Sequence, residues 1–130
     1  MKYKFEITEI IGATPEVIYK AWLDSELHTK MTGGEAVCST EVNGSFTTWD
    51  NYISGTNLGL LLNKTIVQSW RTSEFNESEE DSILKIELTE VVEGTQMKLS
   101  HSNIPHGQSN YEAGWIEHYF VPMKAFFEGK

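Results

Sequence analysis

Tyr3, Phe5 and Ile7 alternate with Lys2, Lys4, Glu6 and Thr8, the period-two pattern of a strand with one buried face. Thr14 then stands as an N-cap before Pro15 and Glu16, and Val17, Ile18, Ala21 and Trp22 form an apolar stripe. This predicts a helix of about two turns. Asp24 or Ser25 can cap a second short helix in which Leu27 and Met31 share a face, and Gly33-Gly34 stops it. From Glu35 to about Ser102 the pattern is strand, turn, strand, with candidates at 35–42, 45–49, 52–58, 64–71, 82–92 and 95–102. Asn43-Gly44 is the strongest hairpin signal. The acidic stretch from Thr72 to Ser82 suits a solvated hairpin loop. After Ile104-Pro105 the period becomes helical, with Tyr111, Trp115, Tyr119, Met123 and Phe126 recurring every three or four residues. Pro122 lacks an N–H, so a kink or a tightened turn is expected near His118 to Phe120.

One strand, two short helices, six more strands and a terminal amphipathic helix make an α+β arrangement, a curled antiparallel sheet of about seven strands with the helix across its concave face. A helix laid on a strongly curved sheet leaves room for an apolar pocket between them. At 130 residues the chain reads as one domain, 1–130. It carries 10 basic and 19 acidic side chains, a formal net charge of −9. With no basic stretch, nucleic acids and anionic membrane surfaces are not expected partners. Cys38 is the only cysteine, so neither an intramolecular disulfide nor a cysteine zinc cluster can form. The N-terminus alternates where a signal peptide or membrane span would run apolar, which gives a cytoplasmic reading.

Several segments together carry a family resemblance: Thr14-Pro15-Glu16-Val17-Ile18-Tyr19-Lys20-Ala21-Trp22, Gly44-Ser45-Phe46, Gly55, Ile66-Val67-Gln68-Ser69-Trp70-Arg71, and Gly114-Trp115 with Tyr119 and Pro122. In this order, over nearly the whole chain, they resemble the AHSA family, homologues of the activator of the heat-shock-protein-90 ATPase, within the START/Bet v-allergen-like SRPBCC superfamily. The resemblance implies a helix-grip fold, the element order already read from the pattern. Eukaryotic co-chaperones of this type join such a domain to a separate amino-terminal domain that grips the chaperone; short, stand-alone members look more like binders of small ligands.

The expected pocket walls are Phe46, Trp70, Leu99, Trp115, Tyr119 and Met123, with indole N–H and phenol O–H groups as handles for a ligand's polar end. Strict alternation sets Phe46 and Trp49 on opposite faces, so both point inward only if Thr47 to Asp50 contains a bulge. Gln68 shares a face with Trp70 and, if buried, needs a partner such as the ligand. His28, His101, His106 and His118 lack metal-ligand spacing and read as exposed or hydrogen-bonded. A strand-borne Cys38 has no cationic neighbour in sequence to activate it. Glu41 or Asp50 would act as an acid or base only inside an apolar cavity. Arg71 is expected to pair with a nearby acid.

The leading expectation is therefore a helix-grip protein, monomer or homodimer, binding a small apolar ligand with no cofactor and no metal. A chaperone or other protein partner met by an acidic surface that includes Glu79 and Glu80 is the alternative. Lyase, cyclase or hydrolase chemistry by one cavity carboxylate comes third.

Overall fold

The computed structural model describes residues 3–107 and 111–128. Strand β1 (Tyr3–Ile11) leads into α1 (Pro15–Leu23) and α2 (Ser25–Thr32). Five strands follow: β2 (Ser45–Thr48), β3 (Ile53–Leu61), β4 (Thr65–Thr72), β5 (Ser82–Val91) and β6 (Gly94–Ile104). The described chain ends in a helix of three parts: α3 (Tyr111–Trp115), a π turn (Ile116–Phe120) and α4 (Val121–Glu128). The strands form one antiparallel sheet in the order β1-β6-β5-β4-β3-β2, so the first strand closes against the last.

Local chemistry sets the helix limits. Val17 N–H donates to Thr14 Oγ1 and Leu27 N–H to Asp24 Oδ1, so Asp24 is the second cap. Gly33 closes α2 in the left-handed region at φ 88°, its N–H on the Thr29 carbonyl. Lys124 of α4 pairs with Glu9 of β1, tying the end of the helix to the sheet.

Two expectations are corrected. The sheet has six strands: 35–42 is a loop touching β2 only through the Val37–Thr47 bridge. Beyond that bridge, much of its backbone is held by side chains. Ala36 N–H donates to Thr29 Oγ1, Cys38 N–H to Ser25 Oγ, and the Ser39 and Glu41 carbonyls accept from Asn57 Nδ2. Cys38 is accordingly not strand-borne. It is half-buried, with its thiol pushed up to about 11 by burial and by nearby Asp24. In the terminal helix, where a kink or a tightened turn was expected near His118 to Phe120, the irregularity lies at Ile116–Phe120 but is a widened π turn, in which Val121 N–H reaches back to the Ile116 carbonyl. A proline ring in a straight α-helix clashes with the carbonyl four residues earlier, and a wider turn relieves that contact.

Gly55 shows how closely the sheet approaches its neighbours. A Cβ there would fall 1.9 Å from the Ser69 carbonyl oxygen and 2.8 Å from the Phe46 ring. Gly55→Ala is expected to cost about 1–3 kcal/mol through strain between β3 and β4, read as a lower denaturation midpoint. An unchanged midpoint would show that the strands separate freely.

Candidate ligand cleft

Five residues on one face of the terminal helix, Tyr111, Gly114, Trp115, His118 and Tyr119, stand opposite the β2–β3 turn and the ends of β3 and β4. The spacing i, i+3, i+4, i+7, i+8 makes them a single stripe. Between the two sides lies a cleft of about 590 Å³, whose facing wall includes Trp49, Tyr52, Ile53 and Trp70 with Glu74 at its rim. That volume is in the range of small-molecule sites, roughly 300–1,000 Å³.

Trp49 reaches this wall by a route the alternation rule misses. Strand β2 stops at Thr48, and Trp49, Asp50 and Asn51 follow with φ of 54°, 56° and 75°. This left-handed run, with no bulge in the strand, swings the indole to within 5.7 Å of the His118 ring and 6.3 Å of Tyr119. Phe46 also points inward, and is buried. Gly34 makes room for the indole, since a Cβ there would lie 2.3 Å from Trp49 Cε3. The other rings form a continuous chain: Tyr111 to Trp70 at 5.0 Å, Trp70 to Trp115 at 5.7 Å, and Trp115 to Tyr119 at 4.7 Å.

Trp70, Trp115 and Tyr119 thus line the cleft, whereas Phe46 lines only a second void of about 10 Å³ beneath it. Leu99 and Met123 are fully buried core residues and wall neither space. Sequence reasoning missed Tyr52, Tyr111 and His118 as walls. The dense run Trp49-Asp50-Asn51-Tyr52, two aromatics around a turn dipeptide, was the signal that could have found the facing side.

The polar handles of Trp115 and Tyr119 are committed inward. Trp115 Nε1–H donates to His101 Nδ1 at 3.0 Å. That nitrogen must therefore be the unprotonated one, so Nε2–H donates to Ser82 Oγ, whose own hydroxyl donates to the Trp70 carbonyl. Burial lowers the His101 pKa from 6.5 to about 3, keeping it neutral. Contact between Ser82 and His101 superficially resembles a nucleophile and its base. Here the histidine donates to the serine instead of accepting from it, and both side chains are fully buried. His28 has the opposite tautomer: Nδ1–H donates to the Trp22 carbonyl, and Nε2 accepts from the Tyr119 hydroxyl at 3.0 Å. Burial lowers its pKa too, and strongly raises that of Tyr119.

Gln68 is satisfied by protein: Trp22 Nε1–H donates to its Oε1, and its Nε2 donates to Asn57 Oδ1 at 2.8 Å. No ligand is needed to complete it. Arg71 is committed to Asp81 and to the Asn76 and Glu79 carbonyls, and caps the Phe75 ring at 5.3 Å. Glu41 and Asp50 are exposed, so neither is an acid enclosed by apolar residues. Among the described residues no group of three or more His, Cys, Asp or Glu side chains is placed to hold a metal ion, and no helix is long and apolar enough to cross a membrane. At the rim, Tyr52 donates to Glu74 Oε2 at 2.6 Å, and burial, followed by this bond, pushes its hydroxyl up to about 12. What faces the cleft is mainly ring surface, with one carboxylate.

An antiparallel curved sheet with two short helices after its first strand and a terminal helix laid across it is the helix-grip architecture of the START-like SRPBCC proteins. Within that class the chain belongs to the family described as "Activator of Hsp90 ATPase homolog 1-like protein", whose model matches residues 12–128. It is 26% identical over 123 residues to the mouse "Activator of 90 kDa heat shock protein ATPase homolog 2", covering 94% of this chain but 37% of that protein. The chain thus spans little more than a third of that relative. An HSP90 activator from Plasmodium falciparum superposes with a TM-score of 0.83 at 26% identity, covering 97% of this chain and 96% of that one. A Mesorhizobium loti protein, MLL2253, has the same fold at 16% identity, with a TM-score of 0.82 and 98% of each chain covered.

Proposed function

We propose that this protein binds a small, largely apolar molecule in the cleft between the first half of its terminal helix and the β2–β3 turn. The observation carrying this is a space of about 590 Å³ walled by four or more aromatic rings in mutual contact. Burying a ring-bearing ligand against such walls removes apolar area from water at about 25 cal/mol per Å². The polar ends of Trp115 and Tyr119 are held by His101 and His28, which fixes both rings in place before any ligand arrives.

Gly114 provides the test. It lies on the cleft stripe, and a Cβ built on it meets no described atom within 4 Å. Gly114→Leu therefore starts from open space at its Cβ and projects its side chain into the cleft, and replacing a helical glycine gains up to about 1 kcal/mol of helix propensity. Titration with the neutral fluorophore N-phenyl-1-naphthylamine is expected to quench tryptophan emission in the parent protein. The Gly114→Leu protein should show at least a tenfold loss of affinity with no loss of thermal stability. Equal binding by both proteins would remove the cleft as the site.

A second reading is favoured by the relatives: two that match at 26% identity are named as activators of the Hsp90 ATPase. In this reading the chain contacts an Hsp90-type chaperone through its acidic outer face, including the loop that carries Glu79 and Glu80. Stimulated ATP turnover of an Hsp90 chaperone by the purified protein, weakened by salt and by Glu79→Lys with Glu80→Lys, is the expected result. An unchanged turnover rate would exclude the activation.

A further inference from the structure

The chemistry of the walls narrows the ligand class. We propose that the cleft selects an organic cation, a quaternary or protonated amine with apolar substituents, held by the faces of Trp49, Trp70, Tyr111 and Trp115 and by the Glu74 carboxylate at the rim. The inference rests on the cleft being a ligand site.

Three observations carry it. First, the cleft is walled mainly by aromatic rings, and two of their polar groups are already committed: the Trp115 N–H to His101 and the Tyr52 hydroxyl to Glu74. A ring face carries the negative end of the quadrupole and attracts cations, most strongly for indole. Second, Glu74 is the only formally charged side chain among the described walls, and it is acidic. Its bond from Tyr52 holds the carboxylate at the rim at 2.6 Å, beside the aromatic floor. The nearby cation, Arg71, is not a wall; Asp81 and the loop carbonyls hold it over the Phe75 ring. Third, the net charge of −9 gives the molecule a field that draws cations and repels anions. An anionic ligand would meet a carboxylate and aromatic rings, with no lysine or arginine among the described walls and His118 as the one basic side chain there, uncharged at the pH 8 of the test. A neutral apolar ligand would make no use of Glu74.

The test uses the 130-residue protein at pH 8 and low salt, with three probes of one shape: benzyltrimethylammonium, its uncharged carbon isostere neopentylbenzene, and benzylsulfonate. Affinities are read from tryptophan quenching. The cation is expected to bind about tenfold or more tighter than the neutral isostere, in line with desolvated cation–π pairs, and the anion not to bind. Glu74→Gln keeps an acceptor for the Tyr52 hydroxyl, so it should retain the parent melting temperature. It should weaken cation binding several-fold and leave the neutral probe unchanged. Equal affinity for cation and neutral isostere, or a Glu74→Gln protein with unaltered selectivity, would overturn the cation assignment while leaving the cleft as a site. Failure of all three probes together with N-phenyl-1-naphthylamine, or binding undiminished in Gly114→Leu, would overturn the cleft reading and the cation inference with it.

Discussion

Replacing Asn57 by alanine is expected to lower unfolding free energy by about 2–4 kcal/mol, because one buried side chain joins three parts of the molecule. Asn57 is fully buried on β3. Its Nδ2 donates to the Ser39 and Glu41 carbonyls at 2.9 and 3.0 Å, and its Oδ1 accepts from Gln68 of β4. Through Gln68 the chain of bonds reaches Trp22 on α1. Alanine would strand the Gln68 amide in the core and leave a void where the Asn57 side chain was. It would also release the loop carbonyls, of which that of exposed Glu41 can turn to water. The amide and the void therefore dominate the cost. A double-mutant cycle separates these effects. If the network is real, Asn57→Ala combined with Gln68→Ala should cost at least about 1 kcal/mol less than the sum of the two singles. Backbone amides of 37–44 should also exchange faster in Asn57→Ala. Additive single effects, or a loss of under about 1 kcal/mol, would show that Asn57 is not the tie between loop and sheet.

The same residues explain what a one-dimensional reading can and cannot reach. Leu84, Ile86, Leu88, Met97 and Leu99 alternate cleanly because β5 and β6 each bury one face, and these strands fall close to where the pattern places them. The caps at Thr14 and Asp24 and the stop at Gly33 are equally local, so they too were legible. The loop 35–42 was not. Its partners Ser25, Thr29 and Asn57 lie 7 to 18 residues away, and side-chain bonds to backbone leave no periodic trace. For the cleft, periodicity identified the helical stripe but not depth along it. Met123 and Trp115 share a pattern, yet only the first turns of the helix stand opposite the β2–β3 turn, where the space opens. Trp49 depends on three consecutive left-handed residues, and His28 and His101 on partners 6 to 91 residues distant. The wall rings are thus visible in sequence as aromatics. The groups that aim them become visible only once the chain is folded.

Those aiming groups make the protein acid-sensitive. His101 has a pKa of about 3 in the fold against 6.5 when free, so between these values the unfolded chain binds the extra proton and the native state does not. Its contribution is complete above pH 6.5 and is lost progressively as pH falls below that value, by about 2 kcal/mol at pH 5. His28 is shifted in the same direction by burial and adds to the loss. The two differ in what protonation does locally. A proton on His28 Nε2 faces the Tyr119 hydroxyl, which can rotate and accept. A proton on His101 Nδ1 faces the Trp115 N–H, which can only donate, so two donors oppose each other behind the cleft wall. Stability measured by denaturant titration should fall from pH 6.5 to pH 5, while most surface carboxylates, with free pKa values near 4, remain ionised. His101→Asn keeps an acceptor near the Trp115 N–H but removes the titrating group. It should therefore flatten the pH slope, whatever it costs at neutral pH. A slope unchanged in His101→Asn would place the acid sensitivity elsewhere. A flattened slope, with probe binding at pH 5 lost in the parent and retained in the variant, would show that the neutral imidazole holds the Trp115 wall in place.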